Sequence, residues 1–133
     1  MENRAELNIA LIGFGTVGSG VARILSTQAE NIAVRAGRPV RLKRVVVRDV
    51  SRSREHLPVD VSVSANLEDV ISDTGIQLAV QLIGGTDPAL DYMQRLLTAG
   101  KDVVTANKAL LYLHGETLFQ QAAPEQGRGR VLA

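Results

Sequence analysis

The chain has 133 residues, a length that fits one domain able to build a core without disulfide or metal. Its composition is 45% apolar, 22% charged and 3% aromatic, and the absence of cysteine excludes disulfides, thiolate catalysis and cysteine-based zinc sites. A net charge of +1, from 15 basic and 14 acidic residues, gives no overall field toward nucleic acid or a membrane, although eight of the basic residues fall between Arg35 and Arg54.

Leu7–Ile12 is an apolar run with one polar interruption, ended by Gly13, and reads as a buried strand. From Thr16 to about Gln28, Val17, Val21, Ile24 and Leu25 recur at helical spacing. Ala29 to Pro39 is less regular, with Gly37 and Pro39 closing whatever helix continues there. Leu42–Val47, with three consecutive valines, is a second strand. Val59–Val63 alternates as a short third strand, and Leu67–Ile71 is a short helix. Leu78–Ile83 is a fourth strand, stopped by Gly84 and Gly85. A helix starts near Asp87-Pro88, where proline and an acid both suit a first turn. Its stripe is Leu90, Met93 and Leu97, and Gly100 caps its end. Asp102–Thr105 is a fifth strand, Leu110–Ala123 a helix stopped by Pro124 and Gly127, and Val131–Ala133 begins a sixth strand. Strands alternating with helices predict an α/β doubly wound parallel sheet of the Rossmann kind, one domain over residues 1–133.

Gly13-Phe14-Gly15-Thr16-Val17-Gly18 matches G-x-G-x-x-G between the first strand and the first helix, where the motif can act. The first glycine permits the tight turn, the second lets a pyrophosphate approach the backbone, and the third lets helix and strand pack closely. Amides of Thr16 and Val17 then face the phosphates. The lysine and Ser/Thr pair of a nucleoside-triphosphatase loop is absent, which argues against ATP or GTP hydrolysis. The end of the second strand decides between the two nicotinamide dinucleotides. Arg48 there can pair with the 2′-phosphate of NADP, with Arg52 or Arg54 adding a contact; Asp49 turned inward would select NAD. The preference is for NADP with NAD tolerated.

Four stretches carry a family likeness: Ile9 to Gly18, Val45-Val46-Val47-Arg48-Asp49, Leu82-Ile83-Gly84-Gly85, and, most specific, Gly100 to Leu111 with its Thr105-Ala106-Asn107-Lys108. With His114-Gly115 and Leu118-Phe119 they span nearly the whole chain, which resembles the N-terminal cofactor domain of homoserine dehydrogenases. The resemblance implies NADP or NAD as cofactor and homoserine or aspartate semialdehyde as the small-molecule substrate, in the biosynthesis of threonine and methionine. It implies cofactor contacts at the glycine loop, Arg48, Ile83, Gly84, Thr105 and Lys108, with Lys108 as the catalytic cation beside nicotinamide and substrate. A cation there favours negative charge developing on a carbonyl oxygen. Thr105 and Asn107 either position the nicotinamide or serve as cap and turn residues.

Two departures bear on this. Gln81 stands where family members usually carry an acid. In the family, the strand starting at Val131 leads on to a substrate and dimer-forming region holding the proton-transfer groups and a monovalent cation site. These residues are therefore expected to bind cofactor and turn over little homoserine, the full-length enzyme being a homo-oligomer. The alternatives are a non-catalytic NAD(H)-sensing domain and the cofactor domain of another amino-acid-pathway oxidoreductase. His56 and His114 have no metal-ligand spacing, so no metal is expected. The polar N-terminus and the lack of a long apolar run predict a soluble, cytoplasmic protein with no membrane or nucleic-acid partner.

Overall fold

A computed structural model of the chain describes residues 6–52, 54, 57–58, 60–122 and 126–132. Its elements are β1 (Leu7–Ile12), α1 (Thr16–Thr27), α2 (Ala29–Ala36), β2 (Val40–Val46), β3 (Ser62–Ser64), α3 (Glu68–Ile71), β4 (Leu78–Gln81), α4 (Ala89–Thr98), β5 (Asp102–Thr105), α5 (Lys108–Gln121) and β6 (Val131–Leu132). The strands form one all-parallel sheet in the order β3-β2-β1-β4-β5-β6, the doubly wound arrangement expected. Expectations that fell on His56, Val59, Ala123, Pro124 and Ala133 lie outside the described residues.

Alternation along the strands divides the interior into two clusters. Ala10, Ile12, Val46, Ala79, Val103 and Val131 face one side, where α3, α4 and α5 bring Val70, Met93, Leu96, Leu97, Leu110 and Leu118 onto them. Ile9, Leu11, Val45 and Val47 face the other, where the helical residues among those described come from α1: Val21, Ala22 and Leu25. A parallel strand buried on both faces reads as a continuous apolar run, which is why β1 and the valines of β2 stand out in the sequence.

Several boundaries differ from those expected, each for a local reason. β2 begins at Val40, not Leu42, because Val40 pairs with Leu7, and it ends at Val46. A register shift between Ile9 and Ala10 leaves Lys43 unpaired in that ladder. β3 is confined to Ser62–Ser64, pairing with Arg44–Val46. The irregular stretch after α1 is a separate helix, α2, ended by Gly37 at φ +76°. β4 ends at Gln81; one further ladder bond, from Leu82 N to Ile12 O at 2.9 Å, precedes the turn away. α4 starts at Ala89 with Pro88 as its N-cap residue, and the Asp87–Pro88 bond is cis. α5 starts two residues early, at Lys108, because the Asn107 side chain caps it, accepting from Leu110 N at 3.0 Å.

The end of α4 forms a Schellman motif: Gly100 N bonds Leu97 O and Lys101 N bonds Leu96 O, both at 3.0 Å, with Gly100 at φ +84°. The Lys101 side chain then runs inward, donating to the carbonyls of Asp73 (2.6 Å) and Ile76 (2.7 Å). Burial pushes its pKa down, against the attraction of nearby Asp73. Beside it, Asp73 pairs with Lys43 at 2.9 Å.

Candidate functional site

The carboxyl ends of β1, β2, β4 and β5 open onto the same edge of the sheet, the edge where ligands of doubly wound folds bind. Three glycines at the end of β1 have different surroundings. Gly13 has φ +100° and a side chain there would meet Ile83 Cγ1 at 3.3 Å, so the turn is both left-handed and tight. A Cβ on Gly18 would lie 2.9 Å from Gly13 O and 3.1 Å from the Phe14 ring, which is the close helix–strand contact. A Cβ on Gly15 would meet nothing within 4 Å. Gly15 is the N-cap of α1 and offers no capping side chain, and the first turn contains no acid. Ser19 N makes the first bond of the helix, to Gly15 O at 2.9 Å, so the amides of Thr16, Val17 and Gly18 have no acceptor within it. A helix start with amides unpaired within the helix, no acid in its first turn and open space in front is a fit for a phosphate.

Two clefts flank this loop. The first, about 380 Å³, lies between the glycine loop and the end of β2, and includes Gly13, Phe14, Gly15, Arg48, Asp49 and Ile83. The second, about 350 Å³, lies beyond β4 and includes Val17, Ile83, Gly84 and Lys108. Ile83 is the wall they share. A hollow of about 430 Å³ between α3 and α4 holds none of the loop residues, and its rim is the ion-paired trio Glu68, Asp91 and Arg95.

At the first cleft, the exposed Arg48 follows β2, and neither its guanidinium nor that of Arg52 donates a hydrogen bond among the described residues. Asp49 is turned back on its own loop: Oδ1 accepts from Ser51 N (3.0 Å) and Ser51 Oγ (2.6 Å). These bonds, helped by the nearby Arg54 and Arg52 charges, hold its carboxyl below the usual carboxylate range. Arg54 braces the same loop by donating to the carbonyls of Asp49 (2.5 Å) and Arg52 (2.7 Å).

At the second cleft, Lys108 is the exposed first residue of α5. Thr105 is buried beneath the cleft; its hydroxyl accepts from Asn107 N at 3.1 Å and lies 3.4 Å from Gln81 Oε1, to which it donates. Gln81, also fully buried, donates from Nε2 to Ile83 O at 2.9 Å. Asn107 Nδ2 donates to that same carbonyl (3.0 Å) and to Gly85 O (2.6 Å).

The expected site residues thus gather at one edge but not in one role. Gly13, Phe14, Gly15, Arg48 and Ile83 line the first cleft; Val17, Ile83, Gly84 and Lys108 line the second. Thr16 is exposed at the helix start, Gly18 is buried against Gly13, and Thr105 lies underneath. Val46, Val47, Ala65, Pro88 and Tyr92, which complete the first cleft, were not foreseen. Ala65 and Tyr92 arrive there through strand order and a helix crossover, and neither has a local signature. His114 is half-buried on α5, and among the described residues no three His, Asp or Glu side chains gather as metal ligands.

Residues 13–131 match the family model described as the homoserine dehydrogenase NAD-binding domain. The chain is 36% identical over 117 residues to homoserine dehydrogenase of Bacillus subtilis, covering 87% of this chain and 27% of that protein. It is 40% identical over 119 residues to homoserine dehydrogenase of Helicobacter pylori, covering 90% of this chain and 28% of that one. A crystal structure of a homoserine dehydrogenase from Thiobacillus denitrificans superposes with a TM-score of 0.85 at 35% identity, over 96% of this chain and 29% of that one. The chain therefore spans little more than a quarter of the length of these relatives. No helix among the described residues is long and apolar enough to cross a membrane.

Proposed function

Because this chain belongs to the homoserine dehydrogenase family, through that family's NAD-binding domain, we propose that its two clefts hold the two halves of one nicotinamide dinucleotide. The observation that carries this reading is the open space at Gly15 in front of the unpaired amides of α1, at the point where the clefts meet. The pyrophosphate belongs over Gly15, Thr16 and Val17, the adenosine half beside Arg48, and the nicotinamide half beside Ile83, Gly84 and Lys108, above Thr105.

We read the cofactor as NADP, with NAD tolerated. Arg48 and Arg52 make no side-chain hydrogen bond among the described residues, whereas the acid that would accept from a ribose hydroxyl is already bonded to Ser51. Arg54, whose guanidinium is committed to two carbonyls of its own loop, shapes the site rather than serving as the second phosphate ligand. The activity proposed for a chain of the relatives' full length is interconversion of homoserine and aspartate semialdehyde. The bound dinucleotide supplies the hydride chemistry. Lys108 supplies a fixed positive charge at the reacting end, where it favours an oxygen gaining negative charge.

Calorimetric titration of the chain with NADPH and with NADH tests this. NADPH is expected to bind more tightly. Arg48→Ala should weaken NADPH by roughly 10- to 100-fold, the scale of one charge-assisted contact, while leaving NADH within about 3-fold. Equal loss of both would remove Arg48 from the specificity role, and no binding of either at millimolar concentration would remove the cofactor reading for these residues.

A further inference from the structure

The segment Ile83–Gly85, which forms the wall between the clefts, is held from below by two side-chain amides arranged alike. Each uses its oxygen as an acceptor within the scaffold: Gln81 Oε1 takes the Thr105 hydroxyl, and Asn107 Oδ1 takes Leu110 N. Each then uses its nitrogen as a donor to the wall. Both donate to the carbonyl of Ile83, and Asn107 adds a bond to the carbonyl of Gly85. The two side chains come from different elements, the end of β4 and the cap of α5, so together they tie the wall to both.

This arrangement has a consequence across the peptide plane. In a trans peptide the C=O and the following N–H point in opposite directions. Fixing the Ile83 carbonyl against two amides therefore fixes the Gly84 N–H on the far side, where it has no acceptor among the described residues. A side chain at Gly84 would meet nothing within 4 Å, so the space around this amide is open.

We infer that Gln81 and Asn107 are positioning residues that clamp the Ile83–Gly84 peptide and so present the Gly84 N–H as a hydrogen-bond donor to the bound dinucleotide. The inference rests on the reading of the clefts as the dinucleotide site, but the clamp itself can be tested without ligand. Asn107→Ser keeps a good N-cap for α5 and adds no charge, yet removes both donors to the wall. Gln81→Met keeps the volume and removes the third donor.

In the native chain, backbone order parameters of Gly84 and Gly85 from 15N relaxation should be near the rigid value of about 0.85. In Asn107→Ser they should fall below about 0.6, with β1 and α5 unchanged. NADPH affinity should fall at least 10-fold in Asn107→Ser and less in Gln81→Met, where Asn107 still holds the carbonyl. In the native chain the Gly84 amide resonance should shift on titration with NADPH. Unchanged order at Gly84 and Gly85 in Asn107→Ser would overturn the clamp whether or not ligand binds. A loosened wall with undiminished NADPH affinity, or a Gly84 amide that does not respond to NADPH, would overturn its role in presenting the donor. A native chain that shows the rigid wall but binds no dinucleotide would sink the proposed function and leave the clamp standing as a structural device only.

Discussion

At the scale of single residues, the three glycines of one loop differ in what they protect, and substitution should separate them. Gly15→Val places a Cβ where nothing lies within 4 Å, so the melting temperature should stay within a few degrees while NADPH and NADH binding are both lost. Gly18→Ala instead drives a methyl to 2.9 Å from a backbone oxygen, and should cost about 1–3 kcal/mol in urea unfolding. Tight dinucleotide binding by Gly15→Val would show that the loop only packs. These roles are legible in the sequence because each is local: a turn, a helix start, and a contact with the loop's own beginning. The roles of Gln81 and Asn107 are not. Asn107 before an apolar helix announces a cap, but its second use, on carbonyls 22 and 24 residues earlier, depends on β4 and β5 lying side by side. Gln81 stands out only as an unexpected amide, and its partners emerge from the same adjacency.

At the scale of elements, endings that rest on a special backbone conformation were readable and endings that rest on pairing were not. Gly100 marks the close of α4 because only a residue at ease at φ +84° completes that motif. β3 is placed by three residues of β2 and owes little to its own alternation. α5 lacks a clear apolar stripe: Leu110 and Leu118 are buried, but Tyr112, Leu113 and Phe119 are exposed, so periodicity does not locate its start. β6 depends on a close approach that the sequence does not advertise. Gly129 packs so tightly on the backbone just ahead of β5 that a Cβ would lie 1.5 Å from Lys101 O. Gly129→Ala should therefore cost about 3 kcal/mol or more, read by thermal unfolding, with amide exchange rising first at Val103 and Val131. A variant as stable as the native chain would mean that β6 can shift away without loss.

At the scale of the whole molecule, the edge of the sheet opposite the clefts is held by charge as well as packing. Lys43 and the Gly75 amide both bond Asp73 and hold its carboxyl below the ordinary value. A carboxyl so lowered adds stability above its unfolded pKa of about 4, and that contribution is lost as pH falls through the lower folded value. Asp73→Asn should thus be less stable than the native chain at pH 7, by on the order of 1 kcal/mol, and the gap should be smaller in acid, at a pH below about 4. Urea unfolding at both pH values measures it, and a gap undiminished in acid would show that the carboxylate charge is not the cause. The doubly wound parallel class was readable from alternation and the glycine loop, since right-handed crossovers leave few other arrangements, while the strand order itself emerges only from the pairing.

The shared wall at Ile83 has one more consequence. The residues proposed to hold the adenosine end follow β2 in a loop that braces itself through Asp49, Ser51 and Arg54, while most residues around Lys108 come from the end of β4, the segment after it and the start of α5. No described hydrogen bond or ion pair joins that loop to Lys108 or Asn107. Changes in one can accumulate without disturbing the other, so on the proposed reading the choice between two dinucleotides and the chemistry at Lys108 can be altered one at a time.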